Sequence, residues 1–177
     1  MNMMFGVGRE NIIYYEVMYV SLMDKTNPMR ILDRAGVVYS VHEYDATPEM
    51  TGTDIASLLG EDPDRCFKTL VTQGKSDRFY VFVIPVNREL DLKKAAAAVG
   101  EKSICMIRSK DLLSTTGYVH GGCSPLGMRK HLTTVFHETA DKGERIYVSG
   151  GKVGVQVELD PADLRKVLDY RSADITR

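Results

Sequence analysis

A chain of 177 residues suffices for one domain that buries roughly 70% of its unfolded surface, and is short for two. With 44% hydrophobic and 27% charged residues it reads as a folded globular protein rather than a disordered one. Its 23 basic and 24 acidic residues leave a net charge of -1, which excludes the globally basic footprint of an autonomous nucleic-acid binder and leaves any RNA contact to a local patch.

The first element met is an apolar run at residues 12–20. It is too short to span a bilayer, contains Glu16, has only Arg9 as a basic residue before it and lacks a small-residue cleavage site. It is expected to be an accessory strand or a start-site extension, with Met23 as an alternative start, so that residues 1–24 form an extension and residues 25–177 the domain. Apolar residues at helical spacing follow at Met29, Ile31, Leu32 and Ala35, and the β-like run 37–44 comes next. A second helix is expected around Ile55, Leu58 and Leu59. Strands at 67–73 and 78–86 flank a turn at Gly74-Lys75-Ser76-Asp77. A third helix carries Leu92, Ala95, Ala96 and Val99 and ends at Gly100, and a strand follows at 103–108. After a glycine-rich stretch come strands at 133–137, 145–149 and 153–159, the last two joined through Gly150-Gly151, a pair that permits the positive φ values of a tight turn. A fourth helix holds Leu164, Val167 and Leu168 behind Asp160-Pro161. Seven strands and four helices predict an α+β fold, a single compact domain with one curved mixed sheet and flanking helices.

The three cysteines, Cys66, Cys105 and Cys123, are odd in number and widely spaced, which suits a reducing compartment and makes the cytoplasm the expected location. There is no G-x-S-x-G elbow, H-E-x-x-H, C-x-x-C or complete phosphate-binding loop. Of His42, His120, His131 and His137, only His120 lies near a cysteine, so a zinc site is not expected. The unusual segment is residues 114–130, where four glycines and Ser124-Pro125 fall within eleven residues. Such a loop brings backbone N–H groups close to a ligand and offers oxyanion stabilisation without a catalytic side chain; packing alone also accounts for it. Lys68 interrupts a buried-looking strand start, on the face of Leu70 and opposite Phe67 and Thr69. It is either a charge held for an anion or a solvated edge lysine.

Cys66-Phe67-Lys68-Thr69-Leu70, Leu90-Asp91-Leu92-Lys93-Lys94, Thr116-Gly117-Tyr118, the loop from Gly121 to Gly127 and Ile146-Tyr147-Val148-Ser149-Gly150-Gly151-Lys152, in that order, together resemble the YbaK family of the prolyl-tRNA-editing superfamily. The resemblance runs from about Lys25 to Arg177. It implies a YbaK-like domain that deacylates mischarged Cys-tRNA(Pro), with Cys-tRNA(Cys) as a second substrate, in trans and without metal or cofactor. Lys68, Gly121, Gly122 and Ser124 would be catalytic; Tyr44, Pro125, Gly127, Ser149, Gly150 and Gln156 would bind substrate. Many relatives carry an aspartate where this chain has Gln156, which removes a charge there. The family mechanism gives the nucleophile to the substrate, whose cysteine thiol attacks its own ester, so that Cys123 reads as a packing residue. The implied partners are the tRNA(Pro) acceptor end and prolyl-tRNA synthetase, with no DNA and no membrane. An Ala-tRNA(Pro) deacylase and a non-catalytic tRNA- or synthetase-binding module are the competing readings. Lys93, Lys94, Arg108, Lys110, Arg129 and Lys130 are candidates for the RNA patch.

Overall fold

The computed structural model describes residues 24–177; the expectations for residues 12–20 and for Met23 lie outside them. Helix α1 (Asn27–Arg34) starts where Thr26 accepts a hydrogen bond from the Met29 amide with Pro28 in the first turn, and it buries Met29 and Leu32. Helix α2 (Gly52–Leu59) carries a reciprocal capping box between Thr51 and Asp54 and stops at Gly60, φ 68°. Helix α3 (Leu92–Val99) is capped by the Asp91 carboxylate, which accepts from the amides of Lys93 and Lys94 at 2.9 and 3.0 Å. Helix α4 (Ser109–Thr116) lies where no helix was expected, and the short α5 (Pro161–Leu164) covers only the start of the fourth expected helix.

The α+β class holds, with eight strands in two sheets among the described residues where seven were expected in one. The small antiparallel sheet has the order β1 (Tyr39–Glu43), β7 (Val155–Leu159), β6 (Ile146–Ser149). The larger sheet is mixed: β4 (Ile104–Met106), β2 (Phe67–Gly74), β3 (Phe79–Pro85), β5 (Thr133–His137), β8 (Arg171–Ala173), with β5 parallel to both β3 and β8. Cys66 bridges to Tyr147, and the Tyr147 amide donates to the Arg65 carbonyl at 2.9 Å, which stitches the two sheets together at the start of β2.

Alternation along the strands builds two cores. Phe67, Val71, Val81 and Val83 turn toward the small sheet and pack with Val148, Val157, Leu159, Met29 and Leu32. Tyr80, Phe82 and Ile84 turn the other way, against Ala95 and Ala96 of α3 and Ile175 near the C-terminus. Strand β3 is covered on both faces, so its sequence reads as an unbroken apolar run. No described helix is long and apolar enough to cross a membrane.

Candidate active site

Strand β2 pairs with β4 only through Thr72, Gln73 and Gly74, which leaves its first half without a partner on that side. A cavity of about 570 Å³ opens there, within the usual range for a small-ligand site. Lys68, on β2, lies opposite Ile84. Its Nζ donates to the Val86 carbonyl at 3.4 Å, a long bond. Burial pulls the Lys68 ammonium below the ordinary lysine range, and the Glu89 charge partly opposes this.

The small sheet supplies the next wall. In register, Gln156 faces His42 on one side and Ser149 on the other. The Tyr44 amide donates to the Gly154 carbonyl at 2.9 Å, which brings Tyr44, Ser149 and Gln156 to the cavity from one end of the sheet. Burial raises the Tyr44 phenol above its ordinary value and Glu61 acts in the same direction, against a backbone hydrogen bond from Gly154. With its amide nitrogen turned toward the carboxylate, Gln156 donates to Glu61 at 2.9 and 3.2 Å. The Cys66 thiol donates to the same carboxylate at 3.2 Å. Desolvation raises the Glu61 pKa, with the Cys66 hydrogen bond opposing. A carboxyl group, that of Glu61, therefore stands one hydrogen bond behind Gln156.

The glycine loop closes the third side and divides the expected site residues into two groups. Gly121, with φ 82°, lines the cavity beside His120 and Cys123. Gly122 lies against the hairpin turn, where an added Cβ would stand 3.0 Å from the Val153 nitrogen. Ser124 is fully buried and its hydroxyl accepts from the Leu126 amide at 3.2 Å, a turn-stabilising role. Pro125 is buried. Gly127 sits under α1, its carbonyl accepting from Asn27 at 3.2 Å. Gly150 donates from its amide to the Val155 carbonyl at 2.8 Å. Gly122, Ser124, Pro125, Gly127 and Gly150 thus shape the loops, whereas Lys68, Gly121, Tyr44, Ser149 and Gln156 reach the cavity.

Gly127→Ala is expected to destabilise the fold by about 2 kcal/mol or more, because φ is 73° and the new methyl would run into the Asn27 side chain and crowd Ile31 and the Tyr118 hydroxyl, each at 3.0 Å. Thermal unfolding checks this; an unchanged Tm would mean that the loop shifts freely.

Other cavity residues carried no sequence signal for a site. Thr51, Gly52 and Ile55 come from the start of α2, Ser109 and Leu112 from α4, and Thr69 from β2, its hydroxyl buried without a hydrogen-bond partner. Among the described residues no three His, Cys, Asp or Glu side chains converge as a metal site would require.

Desolvation pushes the Cys123 thiol up to about 11, so on the order of 10⁻⁴ of it is ionised at neutral pH, far too little for an activated nucleophile. Cys123→Ala should therefore keep kcat within about twofold while losing about 1 kcal/mol of packing. Folded but inactive protein would give the nucleophile back to Cys123.

The sequence profile of the aminoacyl-tRNA editing domain matches residues 46–167, which span the cavity walls from α2 to the hairpin. The chain belongs to the aminoacyl-tRNA editing domain family. A relative from Enterococcus faecalis, provisionally named Cys-tRNA(Pro)/Cys-tRNA(Cys) deacylase EbsC, is 43% identical over 153 residues, covering 86% of this chain and 93% of its own. A proline–tRNA ligase of Thermosipho melanesiensis is 28% identical over 122 residues, 68% of this chain but 22% of the ligase. Among solved structures, a protein provisionally described as a trans-editing enzyme for prolyl tRNA synthetase shares the fold, with a TM-score of 0.74 at 22% identity over 86% of this chain and 98% of that one.

Proposed function

We propose that residues 25–177 act as a trans-editing deacylase that releases cysteine from mischarged tRNA(Pro), and from tRNA(Cys) by the same chemistry, in the cytoplasm and beside prolyl-tRNA synthetase. The observation that carries this reading is a cavity with a half-buried ammonium, Lys68, with loop backbone at Gly121 and with its one thiol, Cys123, held protonated. Such a site positions an ester and stabilises an oxyanion but offers no strong nucleophile of its own. The substrate's thiol fills that gap: its sulfur bonds to the ester carbonyl carbon, the carbon–oxygen bond to the terminal ribose breaks, the ribose oxygen takes the proton the thiol gave up, and water then opens the resulting cyclic thioester to free cysteine. The name of the Enterococcus faecalis relative points to the same substrates. Single-turnover deacylation of Cys-, Ser- and Ala-tRNA(Pro) tests the proposal; a chain that binds these esters and cleaves none of them overturns it.

A further inference from the structure

The cavity opens between two walls of opposite charge. Residues 43–64, which bring Tyr44, Thr51, Gly52 and Ile55 to it, hold seven carboxylates and no lysine or arginine. Residues 102–135, which bring Ile107, Ser109, Leu112, His120 and Gly121, hold five lysines and arginines against the single carboxylate Asp111. That carboxylate is taken by Arg108 at 2.7 Å. In a chain of net charge -1 this is a separation of charge across one opening, and low-dielectric walls strengthen the field there.

Helix α4 organises the basic side. It buries Leu112, Thr115 and Thr116 and leaves Lys110 and Leu113 exposed, three residues apart on a stripe that reaches Gly117. Arg129 continues the stripe: its amide donates to the Thr116 carbonyl at 3.0 Å, and its side chain lies over Gly117, where an added Cβ would meet the Arg129 Cγ at 3.0 Å. Lys130 is the next exposed residue. Among the described residues no carboxylate pairs with Lys110, Arg129 or Lys130, whereas Lys94 is held by Asp174 at 2.7 Å and by the Thr176 carbonyl at 2.8 Å. Leu113 and Val119 stand on this wall half exposed, at 50% and 51%.

We infer that this wall is the track along which the single-stranded 3′ end of the tRNA leaves the cavity. Its phosphates lie on Lys110, Arg129 and Lys130, and its bases lie against Leu113 and Val119. Unpaired cations beside exposed apolar surface are what a single strand requires, one for the backbone and the other for base faces. The acidic wall at α2 repels the same backbone and so fixes the direction of exit. The inference rests on the deacylase reading and adds to it the path of the nucleic acid.

The test compares the wild-type protein with the triple variant Lys110→Ala, Arg129→Gln, Lys130→Ala, in which glutamine keeps the packing over Gly117; equal Tm values establish that both are folded. The substrates are Cys-tRNA(Pro) over a range of salt concentrations and 3′-O-cysteinyl-adenosine, which has no phosphates. The expected result is a loss of about tenfold or more in kcat/KM on the tRNA at low salt and a log–log salt slope shallower by about 2, since each single-strand phosphate contact contributes about 0.7. The small ester should be cleaved at the wild-type rate. An unchanged salt slope, or an equal loss on both substrates, overturns the track. If the wild type cleaves neither ester, the deacylase reading has failed, and the track is judged separately by titrating a single-stranded oligonucleotide ending in CCA: undiminished binding by the triple variant overturns it. Tighter binding of polyglutamate than of the oligonucleotide overturns it in favour of an acidic protein partner.

Discussion

Lys68→Ala lowers kcat/KM on Cys-tRNA(Pro) by about 10²–10³-fold, the usual loss when one preorganised charge or donor is removed from a developing oxyanion, and it leaves the protein folded. Among the described residues lining the cavity, Lys68 is the only lysine or arginine. Among the described residues its ammonium donates one hydrogen bond, the long one to the Val86 carbonyl, and burial weakens its hold on its proton. The ammonium is therefore incompletely compensated until an anion arrives, and two unit charges about 4 Å apart at an effective dielectric of about 20 attract by about 4 kcal/mol. The stability effect has the opposite sign. Because the folded pKa lies below the unfolded one, the folded state binds this proton less tightly, and stability from this site grows as pH rises through the folded pKa. Removing the charge thus leaves Tm unchanged or slightly higher. Lys68→Met, which keeps the apolar stem, should lose activity to the same degree. In the wild type, rate climbs as the substrate thiol ionises near ~8.5 and falls once Lys68 deprotonates, at a pH below the ordinary lysine value of about 10.4. The methionine variant loses that alkaline limb. A wild-type kcat/KM in either variant removes Lys68 from the site.

Elements with local punctuation were legible in the sequence. Asp91, Gly60 and Gly100 mark helix ends through hydrogen bonds and left-handed turns that need no tertiary partner, whereas the capping box of Thr51 and Asp54 was not read from the sequence. Helix α4 was not legible because its N-cap, Arg108, makes no side-chain cap, and Thr115 and Thr116 spend their hydroxyls on the carbonyls of Asp111 and Leu112 at 2.8 Å. Strand β8 carries three residues, none of them buried, and exists through its pairing with β5, a contact more than thirty residues distant. The division into two sheets likewise depends on where Arg65 and Cys66 meet Tyr147, which no local pattern encodes. For the site, Lys68 stood out as a charge in an apolar strand. The loop's density of glycine and proline marked its importance but not its division of labour. Which backbone faces a cavity and which braces a turn is decided by α1 and the hairpin packing from elsewhere in the chain, as Asn27 does at Gly127.

Ser-tRNA(Pro) is deacylated at least about 10²-fold more slowly than Cys-tRNA(Pro), and Ala-tRNA(Pro) more slowly still. The three esters differ by one small group, worth only about 1–3 kcal/mol to a pocket that selects by size; the cavity, about 570 Å³ with Phe67, Ile107 and Leu112 on its walls, admits all three. Selection must then come from chemistry. A cysteine thiol of pKa ~8.5 is ionised to a few per cent at neutral pH, whereas a serine hydroxyl is ionised orders of magnitude less and an alanine methyl supplies no nucleophile at all. Cys123 cannot level these differences, since burial holds its own pKa at about 11, and the carboxylate that Gln156 contacts, Glu61, already accepts from the Cys66 thiol. Single-turnover rates on the three esters, with one tRNA and enzyme in excess, separate attack from binding and product release. Equal rates for alanine and cysteine would show that water is the nucleophile, overturn the substrate-thiol mechanism and move the chain to the Ala-tRNA(Pro) reading. Binding of all three without turnover would make it a non-catalytic module. A steep order of cysteine over serine over alanine, persisting in Cys123→Ala, leaves the substrate's sulfur as the group that breaks its own ester.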